Sequence, residues 1–479
     1  MSVPRPLAPL SVETVARPHG RFGGGAGPRL FLLAGAGVAW LIPALWNPTY
    51  LYALLIWDSL LLLAVLVDWF SLPRASTLQV KREWHSSLSI KVASEVSLAV
   101  TNPPDKSANR SVNRPANMSK TGDLRISLMD ELAPSPWHRL HWLNLVVPAH
   151  ATQNVTRSVT QKFIPGARGD LAIGRVYLRY RSALNMAERW AVADLQQTVR
   201  VYPNFEHASR HSVYLARSRQ IELQMRLMRL RGSGSDFESL REYREGDEIR
   251  NICWTATARR GKAVAKTFQV ERSQAVWLVL DCGRLMRTRS EGYSKLDRAV
   301  DAALVLSQLA LYSGDRVGLL AYGRALNQRV LPGRGAAQLR QLVEQLAVVS
   351  TEAPEADHLR AAATLLALQK QRGLVIWITD LAETAMTPEV IDAAGQLLSR
   401  HLVIFIVIAQ PEVKRQAAFA PGNPQEMYET VAAQELVFRR ELLLGRLREH
   451  GALCLEVAPH QLSAAVLNQY LSVKERNLV

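Results

Sequence analysis

AVWLVLDCGRLMRTRSEGYSKLDRAVDAALVLSQLALYSGDRVGLLAYG, residues 275–323, decides the fold. Its first seven residues form an unbroken apolar run ending in Asp281, helical spacing follows over KLDRAVDAALVLSQLALYSG, and DRVGLLAYG is apolar again. Downstream the same alternation continues. Helices are expected near 336–348 and 358–370, GLVIWITD (373–380) and HLVIFIVIA (401–409) read as strands, and a long helix runs to about His450. GALCLEVAP (451–459) and a last helix close the pattern. Continuous β-rich runs alternating with helices describe a parallel sheet covered on both faces, so the fold class is α/β for residues 273–479. Ligands of such sheets bind beyond the carboxyl ends of the strands. Asp281 and Asp380 each stand at such an end, which makes them a candidate divalent-cation pair.

Ahead of this domain the pattern differs twice. LFLLAGAGVAWLIPALW (30–46) and YLYALLIWDSLLLLAVLVDWF (50–70) are apolar runs of about membrane length joined by Asn47-Pro48-Thr49. They read as a transmembrane helical hairpin, kinked at Pro43. A secretory signal peptide and a buried hairpin of a soluble protein are the competing readings, and the second run directly after the first speaks against the signal peptide. Arg5, Arg17, Arg21 and Arg29 precede the hairpin and Arg74, Lys81 and Arg82 follow it, while the spacer carries no charge. The positive-inside rule then puts a tail (1–29) and everything after the hairpin in the cytoplasm, on the inner membrane of a bacterium. Asp58 lies within the second run, where a carboxylate costs roughly 2.5–3.5 kcal/mol on insertion scales. It marks either a polar contact or a site near enough to the interface to be tolerated.

Residues 75–205 carry short alternating runs: TLQVKRE, VSLAVTN, LRISLMD, WLNLVVP, RVYLRYR and QQTVRVYP. This spacing predicts a β-sandwich-like region, with the polar insertion 102–123 as a surface loop. A connecting segment, 206–272, includes RSRQIELQMRLMRLRGSGS (217–235), whose Arg and apolar residues interleave as in an amphipathic helix.

The charge balance, 58 Lys and Arg against 42 Asp and Glu, leaves +16, which suits nucleic acid or an anionic membrane face. The hairpin accounts for it through the inner leaflet, so nucleic acid is not expected as a partner. Three widely spaced cysteines, Cys253, Cys282 and Cys454, argue against a disulfide framework or a zinc site.

The connecting segment ends in DFESLREYREGDEIR (236–250) and ICWTATAR (252–259). Asp247 is placed to cap a helix over 247–260, with Arg259 and Arg260 in its last turn and Gly261 beyond it. KAVAKTFQVE afterwards alternates like a strand that could extend the sheet edge. Arg241, Glu242, Arg244, Asp247 and Arg250, with Trp254 and Arg259 nearby, are candidate partner-binding residues. Fixed charges of alternating sign serve steering better than stability, although clamping a loop onto the domain explains them equally well.

This charged motif, the hairpin, the strand-rich middle and the VYP ending at Pro203 resemble bacterial proteins of domain-of-unknown-function family 58. In that family the motif precedes a domain similar to the von Willebrand factor A fold. The family pattern has Asp where this chain has Cys253. The resemblance implies a membrane-anchored, non-enzymatic interaction protein that works with a MoxR-type AAA+ ATPase in assembly or activation of other proteins. It also implies a Mg²⁺ question. Von Willebrand A domains hold the ion through Asp-x-Ser-x-Ser, a Thr and a later Asp. Here the first motif reads Asp281-Cys282-Gly283-Arg284-Leu285, the later Asp matches Asp380, and Asp357 is nearest the Thr position. Asp281, Asp357 and Asp380 could hold a hard cation with water, Arg284 could neutralise them instead, or they cap helices and loops. The alternative function is a metal-dependent enzyme, or metal-dependent adhesion, at the Asp281/Asp380 edge. No Walker A sequence or dinucleotide-type glycine pattern stands at a suitable junction.

Overall fold

The structure is a computed structural model that describes residues 11–20, 23–102, 123–132, 142–148, 155–182, 184–204, 236–244, 249–269, 274–290, 292–381 and 389–476. The chain forms two units, Met1–Tyr202 and Pro203–Val479.

In the first unit, strands β1 (Ser11–Val15), β2 (Arg17–Pro18) and β3 (Gly24–Ala26) precede the apolar helices. Residues 1–29 are therefore not simply a tail. After the helices come β4 (Gln79–Trp84), β5 (Leu88–Ser89), β6 (Ser94–Asn102), β7 (Asp123–Asp130), β8 (Leu143–Pro148), β9 (Val155–Phe163), β10 (Gly169–Ile173), β11 (Val176–Arg181), β12 (Ala187–Ala193) and β13 (Gln197–Tyr202). Two larger sheets run β1-β4-β6-β9 and β2-β12-β11-β7-β8, with β3 also on β12, and a smaller one runs β10-β13-β5. Alternate residues of the two larger sheets, among them Val80, Leu98, Leu124, Ile126, Leu178 and Ala191, fill one shared core. The insertion expected as a loop falls largely on 103–122, outside the described residues.

Arg82 lies on the buried face of β4, where an apolar side chain would be expected. Its guanidinium pairs with the carboxylate of Asp130 and donates to the carbonyls of Leu195 (2.7 Å) and Gly174 (3.1 Å). Gln161 on β9 also donates to Asp130, at 3.2 Å. One ion pair thus ties β4, β7, β9 and the turns before β11 and β13.

The first apolar run forms α1 (Pro28–Gly37), a 3₁₀ turn over Val38–Trp40, and α2 (Leu41–Ala44). The break falls one turn before Pro43, whose ring has no N–H to offer the carbonyl of Ala39. The second run is one helix, α3 (Tyr50–Ser71), with Asp58 exposed on it. Among the described residues α3 alone is long and apolar enough to cross a membrane, so the expected pair of spans becomes one full-length helix and a shorter, broken companion. The two pack closely: a Cβ on Gly37 would come within 2.6 Å of Trp57, whose indole N–H donates to the Leu33 carbonyl. At the other end of α3, Asp68 is buried and accepts from the Ser182 hydroxyl and from the backbone N–H groups of Met186 (3.0 Å) and Ala187 (2.8 Å). Arg189 stacks on Trp69 and donates to the carbonyls of Trp69 and Pro73. The exit of α3 is therefore fastened to the start of β12.

In the second unit the signature forms its own two-stranded sheet, β14 (Asp236–Glu242) against β15 (Val264–Gln269). KAVAKTFQVE thus does not extend the main sheet edge. Between the strands lie a 3₁₀ turn over Ile249–Asn251 and α4 (Trp254–Arg260). The expected helix over 247–260 is shortened because Cys253 N–H donates to the Val264 carbonyl and Ile252 bridges to Ala265, which holds residues 252–253 in sheet-like pairing. Gly261 closes α4 in the left-handed conformation, as its sequence position predicts. Segment 217–235, Glu245, Asp247 and Glu248 lie outside the described residues.

The main sheet is built from β16 (Ala275–Asp281), β19 (Arg316–Tyr322), β20 (Leu326–Gly333), β21 (Leu374–Thr379), β22 (Leu402–Ile408) and β23 (Leu453–Val457), with a minor hairpin of β17 (Arg289–Ser290) and β18 (Tyr293–Ser294). Its order is β20-β19-β16-β21-β22-β23, parallel except for β20. Every residue of β16 is buried, as a strand covered on both faces requires. One face is covered by α5 (Lys295–Tyr312), α6 (Gly335–Val348) and α11 (Leu462–Glu475). The other is covered by α7 (His358–Leu368), α8 (Glu389–Leu398) and α10 (Pro424–Glu449). The long helix expected up to His450 is two, α9 (Pro411–Ala417) and α10, because Asn423 caps and Pro424 starts a new helix.

Arg82→Met should cost the first unit about 3–5 kcal/mol, because Asp130 would be left buried and unpaired. Denaturant unfolding of the full-length protein, followed by a probe in the first unit, measures this. Arg82→Met/Asp130→Leu should recover part of the loss.

Candidate functional site

Strand order reverses between β16 and β21, and the candidate carboxylates stand where those strands end. Asp281 is buried. One of its oxygens accepts the Gly283 backbone N–H at 2.7 Å, and the other accepts the Thr379 hydroxyl at 2.6 Å. Burial pushes its carboxyl above the ordinary range. Gly283 holds a position where a von Willebrand A motif has Ser. A Cβ there would meet the backbone nitrogen of Ala356 at 2.8 Å, so the tight loop excludes the hydroxyl residue.

Asp380 is enclosed by donors. Lys295, in the first turn of α5, pairs with one oxygen, and Gln410 donates to the same oxygen at 3.0 Å. Arg440 of α10 donates to the other at 2.5 Å. Arg440 also reaches Glu456 at 3.3 Å, and Glu456 pairs with Lys414 at 2.6 Å. Burial lowers the pKa of Lys295, while Asp380 opposes the shift.

Asp357 is the N-cap of α7 and accepts from the Arg360 N–H at 2.8 Å. Arg284, expected as the neutralising residue, instead pairs with Glu355 at 3.3 Å near the surface. Asp281, Asp357 and Asp380 therefore do not form one ligand set. Among the described residues no group of three His, Cys, Asp or Glu side chains is arranged to hold a metal ion. A Mg²⁺ ion does not fit at Asp380: both of its oxygens are held by Lys295, Gln410 and Arg440, and the two cations among them would repel a metal ion.

Beside Asp281 is a buried aromatic relay. Trp377 donates its indole N–H to the Tyr322 hydroxyl at 2.6 Å, and that hydroxyl lies 2.8 Å from His358 Nδ1. The indole can only donate, so the phenol passes its own proton toward Nδ1, which accepts. This requires a neutral imidazole, consistent with burial lowering the pKa of His358 and raising that of Tyr322.

The signature presents a different surface. Trp254 is 68% exposed and Ile249 71%. Arg259, Arg260 and Lys262 lie exposed close by in sequence. Glu242 pairs with Lys262 across the hairpin at 3.6 Å, and Arg241 donates to the Glu242 carbonyl at 3.2 Å. Arg244 is exposed at the end of the same strand segment, and Arg250 falls in the 3₁₀ turn. Sequence reasoning missed Lys295, Arg440, Thr379 and the Tyr322–His358–Trp377 relay. Arg440 left one weak signal, a charge that falls among the inward residues Ala433, Leu443, Leu444 and Leu447 of its helix.

Residues 239–416 match the family model described as "Protein of unknown function DUF58". An uncharacterized protein of Mycobacterium tuberculosis is 27% identical over 184 residues, 38% of this chain and 56% of the relative. The Bacillus subtilis uncharacterized protein YeaD is 25% identical over 198 residues, 39% and 44%. The chain thus spans about half the length of these curated relatives. Similar solved structures include a von Willebrand factor type A protein from Catenulispora acidiphila, 13% identical over 43% of each chain with a TM-score of 0.26. The conserved hypothetical protein BatB from Bacteroides thetaiotaomicron is 13% identical over 43% of this chain and all of its own, with a TM-score of 0.28.

A His whose folded pKa is depressed binds fewer protons folded than unfolded, so its penalty appears as pH falls below its unfolded value of about 6.5. Wild type should therefore lose stability relative to His358→Gln between about pH 7 and pH 5. Parallel urea titrations across that range check the difference.

Proposed function

We propose that the protein is a membrane-anchored, non-enzymatic adaptor whose second unit docks a protein partner through the signature hairpin. The observation that carries this reading is the exposure of Trp254 and Ile249 beside Arg259, Arg260 and Lys262. Exposed aromatic and Arg side chains are the residue types that dominate protein–protein hot spots. The carboxylates of the sheet edge, in contrast, are consumed by internal partners, so a metal-dependent enzyme or adhesion site draws no support from the donor set. A MoxR-type AAA+ ATPase, or a client it acts on, is the partner we assign, on the strength of the family resemblance.

Anchoring rests on α3. Its 22 residues extend about 33 Å, against a hydrocarbon core of about 30 Å. The pairing of β1 with β4, from Ser11↔Glu83 to Val15↔Gln79, favours a two-pass arrangement. A chain that leaves one sheet before α1 and rejoins it after α3 has to return to the side it left. The basic residues flanking the helices favour the cytoplasmic side. The β-rich first unit would then sit at the inner face of the membrane as a β-sandwich-like spacer.

Trp254→Ala should weaken binding of the purified full-length protein to its MoxR-type ATPase by tenfold or more, as truncation of a hot spot does. Its Tm should not change, because the side chain is exposed. Unchanged affinity measured by calorimetry would remove the hairpin as the docking surface. For topology, a membrane-impermeant maleimide added to spheroplasts should label Thr49→Cys and leave Cys253 unlabelled; labelling of Cys253 from outside would reverse the orientation.

A further inference from the structure

We infer that the carboxyl edge of the main sheet operates without a divalent cation because Lys295 and Arg440 supply, from within the chain, the positive charge that Asp380 requires. This inference is independent of the docking reading. It starts from burial. The side chains of Lys295 and Asp380 are 3% and 0% exposed, and that of Arg440 is 7% exposed. A lone carboxylate at this depth would be strongly unfavourable, so compensation has to come from a bound cation or from fixed residues.

The geometry favours fixed residues on three counts. Both oxygens of Asp380 are engaged by Lys295, Gln410 and Arg440, which come from three different segments around the strand end. The neighbouring Asp281 accepts at one oxygen from the Gly283 N–H and at the other from the Thr379 hydroxyl, so it too has partners from within the chain. The placement of Lys295 is itself telling. It opens α5, whose capping box is formed by Ser294 and Asp297. The helix dipole disfavours a cation in the first turn, so this lysine gains nothing from its own helix and gains its stabilisation from Asp380. Beyond Arg440 the alternation continues through Glu456 to Lys414. The five side chains run plus, minus, plus, minus, plus, linking α5, the residue after β21, α10, β23 and α9. The same residues that neutralise the edge therefore hold the α9–α10 pair against it.

The test uses the full-length protein in detergent. Thermal unfolding of wild type should be the same in millimolar Mg²⁺, in millimolar Mn²⁺ and in EDTA. Lys295→Met and Asp380→Asn should each lower Tm by about 10 °C, the scale of breaking a buried pair in a unit of this size. Lys295→Met/Asp380→Asn should lose clearly less than the sum of the two, because the partners compensate one another. A Tm increase with Mn²⁺ or Mg²⁺ that Asp380→Asn abolishes would overturn the inference, and so would additive single losses. Should Lys295→Met not accumulate as folded protein, Lys295→Arg, which keeps the charge, is expected to fold and to remain indifferent to both ions. An Asp380-dependent ion response in that variant would overturn the inference equally.

Discussion

A charge at the end of a fully buried strand must be matched on the spot, and much of the second unit is arranged around that requirement. Strands β16 and β21 are covered on both faces, so Asp281 and Asp380 are remote from bulk water. Each is answered differently. Asp281 is met by neutral donors, a backbone N–H and a threonine hydroxyl, and burial raises its pKa. Asp380 is met by two cations and an amide. Two carboxylates in neighbouring positions are thus held by different kinds of partner.

The first unit applies the same device to different ends. Arg82 and Asp130 join sheets where hydrophobic side chains would otherwise suffice, and such pairs are weak sources of net stability. What they contribute is register: a guanidinium that reaches two backbone carbonyls as well as a carboxylate admits few alternative alignments. Asp68 does this for the junction of helix and sheet. It accepts from the N–H of Met186, just before β12, and from that of Ala187, the first residue of β12, which fixes the direction in which α3 departs.

How much of this was legible follows the chemistry of each element. The strands of the main sheet were readable because burial on both faces demands continuous apolar runs. The edge strand β20, LNQRVLPG, was not, since an edge exposed to water tolerates polar residues. β9, VTRSVTQKF, escaped for the same reason. The capping residues around 247–260 predict a longer helix than the one that forms, because residues 252–253 pair with β15 instead. At the candidate site the acids were found and their partners were not. Lys295 and Arg440 lie 85 and 60 residues from Asp380, and no local spacing rule spans such distances. Gly283 and Leu285 offer no side-chain hydroxyl near Asp281, and that much was readable. The partners the acids have instead became visible only in three dimensions.

The pairing of β1 with β4 across the apolar helices carries a consequence for biogenesis. The ribosome releases Ser11–Val15 first, yet the strand that completes their hydrogen bonds emerges only after the whole of α3 has been made. The opening segment must wait, unpaired, while the greasy helices find their environment. Maturation of the β-rich unit is thereby ordered behind placement of the helices, and a nascent chain whose helices are misrouted would strand its own first β-strand without a mate.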